Sequence, residues 1–164
     1  MKSFSITLYR QELIMDIENQ AYVYGDMLSD EQQHTKHIVQ DICQGASLDR
    51  TIRLTAIAFH ECVAMLGAFV KEEAISTAGS DAYADKTTYT ISLSLPDTIT
   101  EAALVALPPL LHEYIVWRVL SDWMAQVLPA QYPVCLQKAD EAKAGILSAM
   151  RKRSKPITLK QHPF

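Results

Sequence analysis

The chain has 164 residues, of which 49% are hydrophobic and 21% are charged, and its formal net charge is −4. These values match globular domains and exclude a wholly disordered chain, and the length favours one hydrophobic core over two domains. No uninterrupted apolar run reaches the roughly 18 to 20 residues that cross a bilayer, so the sequence predicts no membrane-spanning segment.

The first half of the chain is predicted to begin with a short strand and to continue as helices. Residues 3–8 alternate polar and apolar side chains, so they suit a strand that buries Phe4, Ile6 and Leu8, or a lead-in to the first helix. Apolar residues then recur every three or four positions, which is the period of one helix face. Breaks in this pattern predict three helices, about 9–24, 29–43, and one from residue 47 or 49 to 73.

Local signals mark the ends of the second predicted helix. Ser29 and Gln32 form a capping box, in which side chains satisfy backbone donors at a helix start. Gly45 is placed to close this helix with a positive φ. Residues 76–86 have no hydrophobic period and many loop formers, so they are predicted to connect two elements.

Residues 87–95 are the clearest strand in the sequence. Hydroxyl side chains alternate there with apolar ones, namely Tyr89, Ile91, Leu93 and Leu95. A lone strand leaves backbone donors and acceptors unpaired, which is costly. We therefore expect it to pair with residues 3–8, with residues 156–160, or with a neighbouring subunit. The last alternative makes Tyr89, Ile91 and Leu93 candidate subunit contacts.

The segment after the strand is predicted to be helical to about residue 150. A capping box at residues 98–101 starts a helix, and Pro108 with Pro109 is expected to kink or stop it, with a strongly apolar helix beginning at Pro109. The last helix packs back antiparallel. The predicted fold is mainly α, a bundle of about five helices with a short β insert. Residues 1–150 form a single domain, followed by a C-terminal extension.

The extension, residues 151–164, is strongly basic. It contains five of the fifteen Lys and Arg residues and no acid, so it carries +5 while the rest of the chain carries −9. Opposite charges steer association, which makes Arg151, Lys152 and Arg153 candidate contacts with a neighbouring subunit. A solvated helix end and non-specific contact with DNA are the alternatives.

The three cysteines, Cys43, Cys62 and Cys135, lie among apolar residues of predicted helices. There is no CxxC and no paired Cys/His spacing, so we expect reduced core side chains rather than disulfides or a zinc site. The first residues lack the apolar region and cleavage site of a secretory signal. Both features predict a cytoplasmic protein.

One metal motif stands out, because Glu31 and His34 have the ExxH spacing of di-iron and di-manganese bundles. A second ExxH is missing, and neither His60-Glu61 nor His112-Glu113 completes an HExxH motif. Nucleotide-binding glycine motifs are also missing. We expect no catalytic, cofactor or metal residues. A metal-binding helical-bundle enzyme that uses Glu31 and His34, with His60 and Glu61, is the alternative.

Three segments together resemble a family of structural proteins. They are the run from His112 to Trp123, the alanine-rich helix at residues 139–146, and the close from Arg151-Lys-Arg to His162-Pro-Phe164. They resemble proteins of tailed-phage and prophage morphogenesis clusters, and the helix, strand, helix layout of residues 87–164 is similar to head-tail connector, or neck, proteins.

This resemblance implies a non-catalytic subunit of a ring around a DNA channel. It implies no cofactor, and partners that are copies of the same chain and other virion structural proteins. It also implies a location in the host cytoplasm before assembly and in the virion afterwards.

Overall fold

A computed structural model describes residues 1–71 and 87–152 of the protein. The fold is mainly α with one two-stranded antiparallel sheet, as the sequence predicts. Short 3-10 turns lie on both sides of α2 and after α3. The strands and α-helices are β1 (Lys2–Tyr9), α1 (Arg10–Asp26), α2 (Gln33–Gln40), α3 (Gly45–Met65), β2 (Thr88–Leu95), α4 (Glu101–Val127) and α5 (Tyr132–Arg151).

The two strands pair with each other along their whole length. Lys2 lies opposite Leu95, Ile6 opposite Ile91, and Tyr9 opposite Thr88. This is the first of the three pairings that the sequence allowed, and it is confirmed. One face of the sheet is apolar and covers the helices, whereas the other is a surface of serine and threonine hydroxyls. The alternative partner segment 156–160 lies outside the described residues.

The interior location of three residues corrects their assignment as subunit contacts. Tyr89, Ile91 and Leu93 are all buried in the core of this chain. They face inward because β2 presents every second side chain to the helices. A neighbouring copy could meet the hydroxyl face or a backbone edge of the sheet, but not these side chains.

Helix α4 is continuous through Pro108 and Pro109, so of the two expectations, a kink or a stop, the stop was wrong. The two prolines lack the N–H groups that would bond the carbonyls of Leu104 and Val105. Val105 lies on the solvent side, with 75% of its surface exposed, so water can solvate this part of the backbone. Burial of the flanking turns against the core holds the helix together.

The core is built around α4. Its largest fully buried side chains are Leu107, Leu111, Ile115, Leu120 and Met124. Helix α5 packs against it antiparallel, and Gly145 allows close approach, because a Cβ there would lie 3.0 Å from Cδ2 of Leu110. Among the described residues, α4 alone has the length and composition of a bilayer-spanning helix; half of its most apolar stretch is buried inside the fold.

Several helix ends differ from their sequence signals. The capping box at Ser29 does not form. Its hydroxyl lies 3.5 Å from the Gln32 side chain and a 3-10 turn precedes α2. Gly45 has the expected positive φ of 51° but is also the first residue of α3. The start of α4 is capped by Thr100, which accepts a hydrogen bond from the Ala103 N–H. Helix α3 ends at Met65 rather than near residue 73.

Candidate functional site

Two of the three basic residues predicted to contact a subunit lie at the end of α5. Arg151 and Lys152 are exposed, and Arg153 lies outside the described residues. The predicted loop at residues 76–86 also falls outside them.

The residues of the metal hypothesis do not come together. Glu31 lies in the turn before α2 and His34 in α2, and both are exposed. His60 Nδ1 donates to the carbonyl of Ala56 at 2.7 Å, and Glu61 belongs to an ion-pair cluster. Within residues 1–71 and 87–152, no group of three His, Cys, Asp or Glu side chains could hold a metal ion.

The most connected polar cluster joins α3 to α4. Glu61 Oε2 accepts from the Tyr114 hydroxyl at 2.7 Å and from Arg118 Nε at 3.2 Å. Arg118 Nη1 donates to Asp122 Oδ1 at 2.7 Å. The i,i+4 pair of Arg118 and Asp122 is thus structural, with Glu61 as a further partner. These residues line one side of a groove of about 520 Å³ whose other side is formed by Tyr132, Leu136, Asp140 and Lys143 of α5.

The electrostatics of this cluster favour a structural role. Burial, and then the hydrogen bond to Glu61, raise the pKa of Tyr114 and keep its hydroxyl neutral. Burial disfavours the charged guanidinium of Arg118, but Asp122 and Glu61 more than offset it and raise its pKa. Because Arg118 is bonded to two carboxylates, it has little capacity left to bind an anionic ligand.

The cysteines are reduced core residues, as the sequence predicts. Cys62 and Cys135 are buried and Cys43 is half-buried. Burial raises the pKa of all three thiols, that of Cys43 to about 12. A nucleophilic cysteine needs the opposite shift, so none of them has the environment of a catalytic thiol.

The solvent side of α1 carries an apolar surface that the sequence analysis missed. Three large hydrophobic side chains of α1 are exposed, Met15 (56%), Tyr22 (41%) and Val23 (54%), and so is Met27 (72%), directly after the helix. The helical period was assigned to the buried residues Leu13, Ile17, Ala21 and Tyr24 alone. The signal that could have revealed this surface was the second apolar set on the opposite side of the same helix.

A groove of about 710 Å³ continues this surface at the start of α1. Ile14 and Met15 form its apolar part together with Leu48 of α3, and Glu12 and Glu18 flank it. We call Met15, Tyr22, Val23 and Met27 the α1 outer face.

The second exposed feature is the outer edge of β1. The Arg10 N–H donates to the Thr87 carbonyl at 3.0 Å. Because backbone groups alternate in direction along an antiparallel strand, Phe4, Ile6 and Leu8 also point their N–H and C=O groups at β2. Those of Ser3, Ser5, Thr7 and Tyr9 point away from it. In the described part of the chain no strand pairs with this edge.

A groove of about 360 Å³ runs beside this edge. Thr7, Leu8 and Tyr9 line one wall, Glu12 closes one end, and the other wall is the α4 turn Pro108, Pro109, His112 and Glu113. Side chains from both faces of β1 line it, so it opens at the edge of the strand. His112 Nε2 lies 2.6 Å from Asp16 Oδ2 and ties this part of α4 to α1.

No protein-family model, curated protein or solved structure matches this chain.

Proposed function

We propose that this protein is a non-catalytic structural subunit that assembles with copies of itself, as a ring of the phage head-tail connector type. The observation that carries this proposal is the α1 outer face. Three exposed large hydrophobic residues of α1, followed by Met27 directly after its last residue, leave apolar surface in water, and extensive exposed apolar surfaces mark sites of protein association.

The composition of the α1 outer face supports a protein partner. Methionine and tyrosine are both enriched at protein interfaces, and methionine adapts its shape to the partner. Asp16, Glu18 and Asp26 lie beside these side chains on α1, and protein interfaces combine apolar anchors with neighbouring polar groups.

The chemistry of the interior supports a role without catalysis. The most connected polar groups of the described residues, Glu61, Tyr114, Arg118 and Asp122, bond one another across α3 and α4. The thiols are held neutral by burial. In a ring, the acidic body would meet neighbouring copies and other virion proteins, and the exposed Arg151 and Lys152 would lie near DNA without reading its sequence.

The test is light scattering over a concentration series. We expect the wild-type protein to form oligomers, visible as rings by negative-stain electron microscopy. The double variant Met15→Glu/Tyr22→Glu should remain monomeric, because burying two carboxylates in the interface is strongly unfavourable.

The matched control is Tyr132→Glu/Val134→Glu. These two side chains are 37% and 42% exposed on α5, and acids are tolerated in the first turn of a helix. It should assemble like the wild type. A wild-type protein that stays monomeric at every concentration would refute the proposal, and loss of assembly in both double variants would refute the assignment to α1.

A further inference from the structure

The outer edge of β1 needs a partner, and the chain supplies a suitable one. We propose that the C-terminal segment, residues 153–164, docks as an added strand on the outer edge of β1 in its own chain. Strand addition of this kind uses main-chain hydrogen bonds for affinity and the adjacent groove for side chains.

Within residues 1–71 and 87–152, the outer edge of β1 has no feature that protects it from pairing. β1 is eight residues long, contains no proline, and has Lys2 as its one charged residue. Natural edge strands are usually blocked by inward charges, prolines, bulges or covering elements. Four residues, Ser3, Ser5, Thr7 and Tyr9, direct their N–H and C=O groups at the open side, which is enough to hold a strand of comparable length.

The segment starts close to the groove. Gly145 of α5 packs against Leu110 of α4, and Arg151 lies about 9 Å further along its helix. In the antiparallel pair this places the end of α5 level with about residue 104, roughly one turn of α4 before Pro108. The twelve residues that follow can span about 40 Å when extended, so they reach the groove and its strand.

The charges of the two surfaces are complementary. Glu12 and Glu113 line the groove, Asp16 lies beside it, and no Lys or Arg is among its described lining residues. Residues 153–164 carry Arg153, Lys155 and Lys160 and no acid. Attraction between these groups would select this segment over an uncharged one.

The residue pattern of the segment also fits. Ile157 and Leu159 alternate with Thr158 and Lys160, which is the period of a strand. Pro109 lines the groove and is exposed, and Val105, which is also exposed, precedes it by one turn of α4. The apolar side chains of the added strand would cover them.

The first test is carbodiimide crosslinking of an equimolar mixture of ¹⁵N-labelled and unlabelled full-length protein, followed by peptide mass spectrometry. We expect Lys155 or Lys160 to be joined to Glu12, Asp16 or Glu113, with both peptides of one isotopic form. Mixed-isotope crosslinks would show docking on a neighbouring copy and overturn docking in the same chain. Absence of these crosslinks, with others formed normally, would overturn the docking altogether.

The second test is amide hydrogen exchange of the full chain by NMR, comparing wild type with Thr158→Pro. We expect the amides of Ser3, Ser5, Thr7 and Tyr9 to exchange at least about tenfold faster in the variant. The amides of Phe4, Ile6 and Leu8 are the internal control, because they bond β2 and should not change. Equal exchange of the outer amides in both proteins would contradict the proposal.

This inference is independent of the proposed assembly. Crosslinking and exchange report on β1, whereas light scattering of Met15→Glu/Tyr22→Glu reports on α1. A monomeric wild-type protein with the expected crosslinks would refute the assembly and leave the docking standing.

Discussion

Thr51 shows how one hydroxyl holds two elements together. It is 1% exposed near the start of α3, and its Oγ1 lies 2.6 Å from the carbonyl of Ile42 in the turn after α2. The hydroxyl donates to that carbonyl, so it ties α3 to the preceding turn. A second buried threonine, Thr55, instead donates to the Thr51 carbonyl one turn back in its own helix.

Thr51→Val should therefore destabilise the protein more than Thr55→Val. The first change leaves the Ile42 carbonyl without this donor, at a cost of about 1 to 3 kcal/mol. The second removes a bond to a carbonyl that the helix ladder already satisfies, so its cost should be clearly smaller. Urea denaturation of both variants measures the difference, and equal losses would contradict the role given to Thr51.

We expect the free energy of unfolding to fall at alkaline pH, because the Cys43 thiol is half-buried. Burial, followed by the charge of Glu18, raises its pKa from 9.0 to about 12. Below pH 9 the thiol is protonated in both states and its contribution is fully present. Between pH 9 and 12 the unfolded chain ionises and the folded chain does not, so the free energy of unfolding decreases as pH rises.

In Cys43→Ala this decrease should be shallower, as measured by urea denaturation across that pH range. Part of the slope should remain, because burial also raises the pKa of Tyr24 to about 12. Val63→Ala, which removes partly buried volume without a titrating group, should lower stability equally at each pH. An unchanged slope in Cys43→Ala would argue against the burial of this thiol.

At the scale of single residues, composition predicted the environment of the cysteines but not the partners of charged groups. The arrangement of Cys62 among apolar residues was enough to indicate a core thiol. The pairing of Glu61 with Tyr114 and Arg118 spans 53 and 57 positions, and no local pattern encodes such a distance.

At the scale of the elements, the two prolines inside α4 are expected to lower the stability of that helix. Pro109 denies a hydrogen bond to the Val105 carbonyl in a helix that nevertheless continues to Val127. A proline inside a helix costs about 3 kcal/mol, partly offset because it restricts the unfolded chain. Pro109→Ala should therefore raise the free energy of unfolding, by about 1 to 2 kcal/mol.

Pro133→Ala is the control for that change. Pro133 lies in the first turn of α5, where the backbone N–H has no partner inside the helix. This substitution should bring no gain. Thermal unfolding measures both variants. If Pro109→Ala is no more stable than wild type, then the substitution does not restore the backbone hydrogen bond to the Val105 carbonyl.

Periodicity predicted the existence of the elements, whereas tertiary packing decided their ends. The alternation of residues 3–8 and 87–95 identified both strands, and self-complementary apolar faces explain their pairing. The continuity of α4 could not be predicted, because it depends on burial of turns on both sides of Pro108 that local propensity does not include. The α1 outer face is less evident from periodicity, because Asp16, Glu18 and Asp26 interrupt its apolar residues along the sequence.

Over the whole molecule, the described core lies between Ile6 and Met150. Removal of residues 153–164 should therefore leave a cooperatively folded protein, with Tm lowered by no more than about 4 °C, which corresponds to about 1 kcal/mol. Differential scanning calorimetry of the shortened chain checks this. A broad or missing transition would mean that the core extends into the removed segment.

The pairing of β1 with β2 also means that, during biosynthesis, β1 is made well before the strand with which it pairs. Each pair in the sheet joins residues 79 to 93 positions apart. At a translation rate of about 5 to 20 residues per second, β1 leaves the ribosome roughly 4 to 19 s before its partner is made. During that interval the strand has neither its sheet nor its core, so nascent-chain chaperones that bind extended apolar segments have a window in which to protect it.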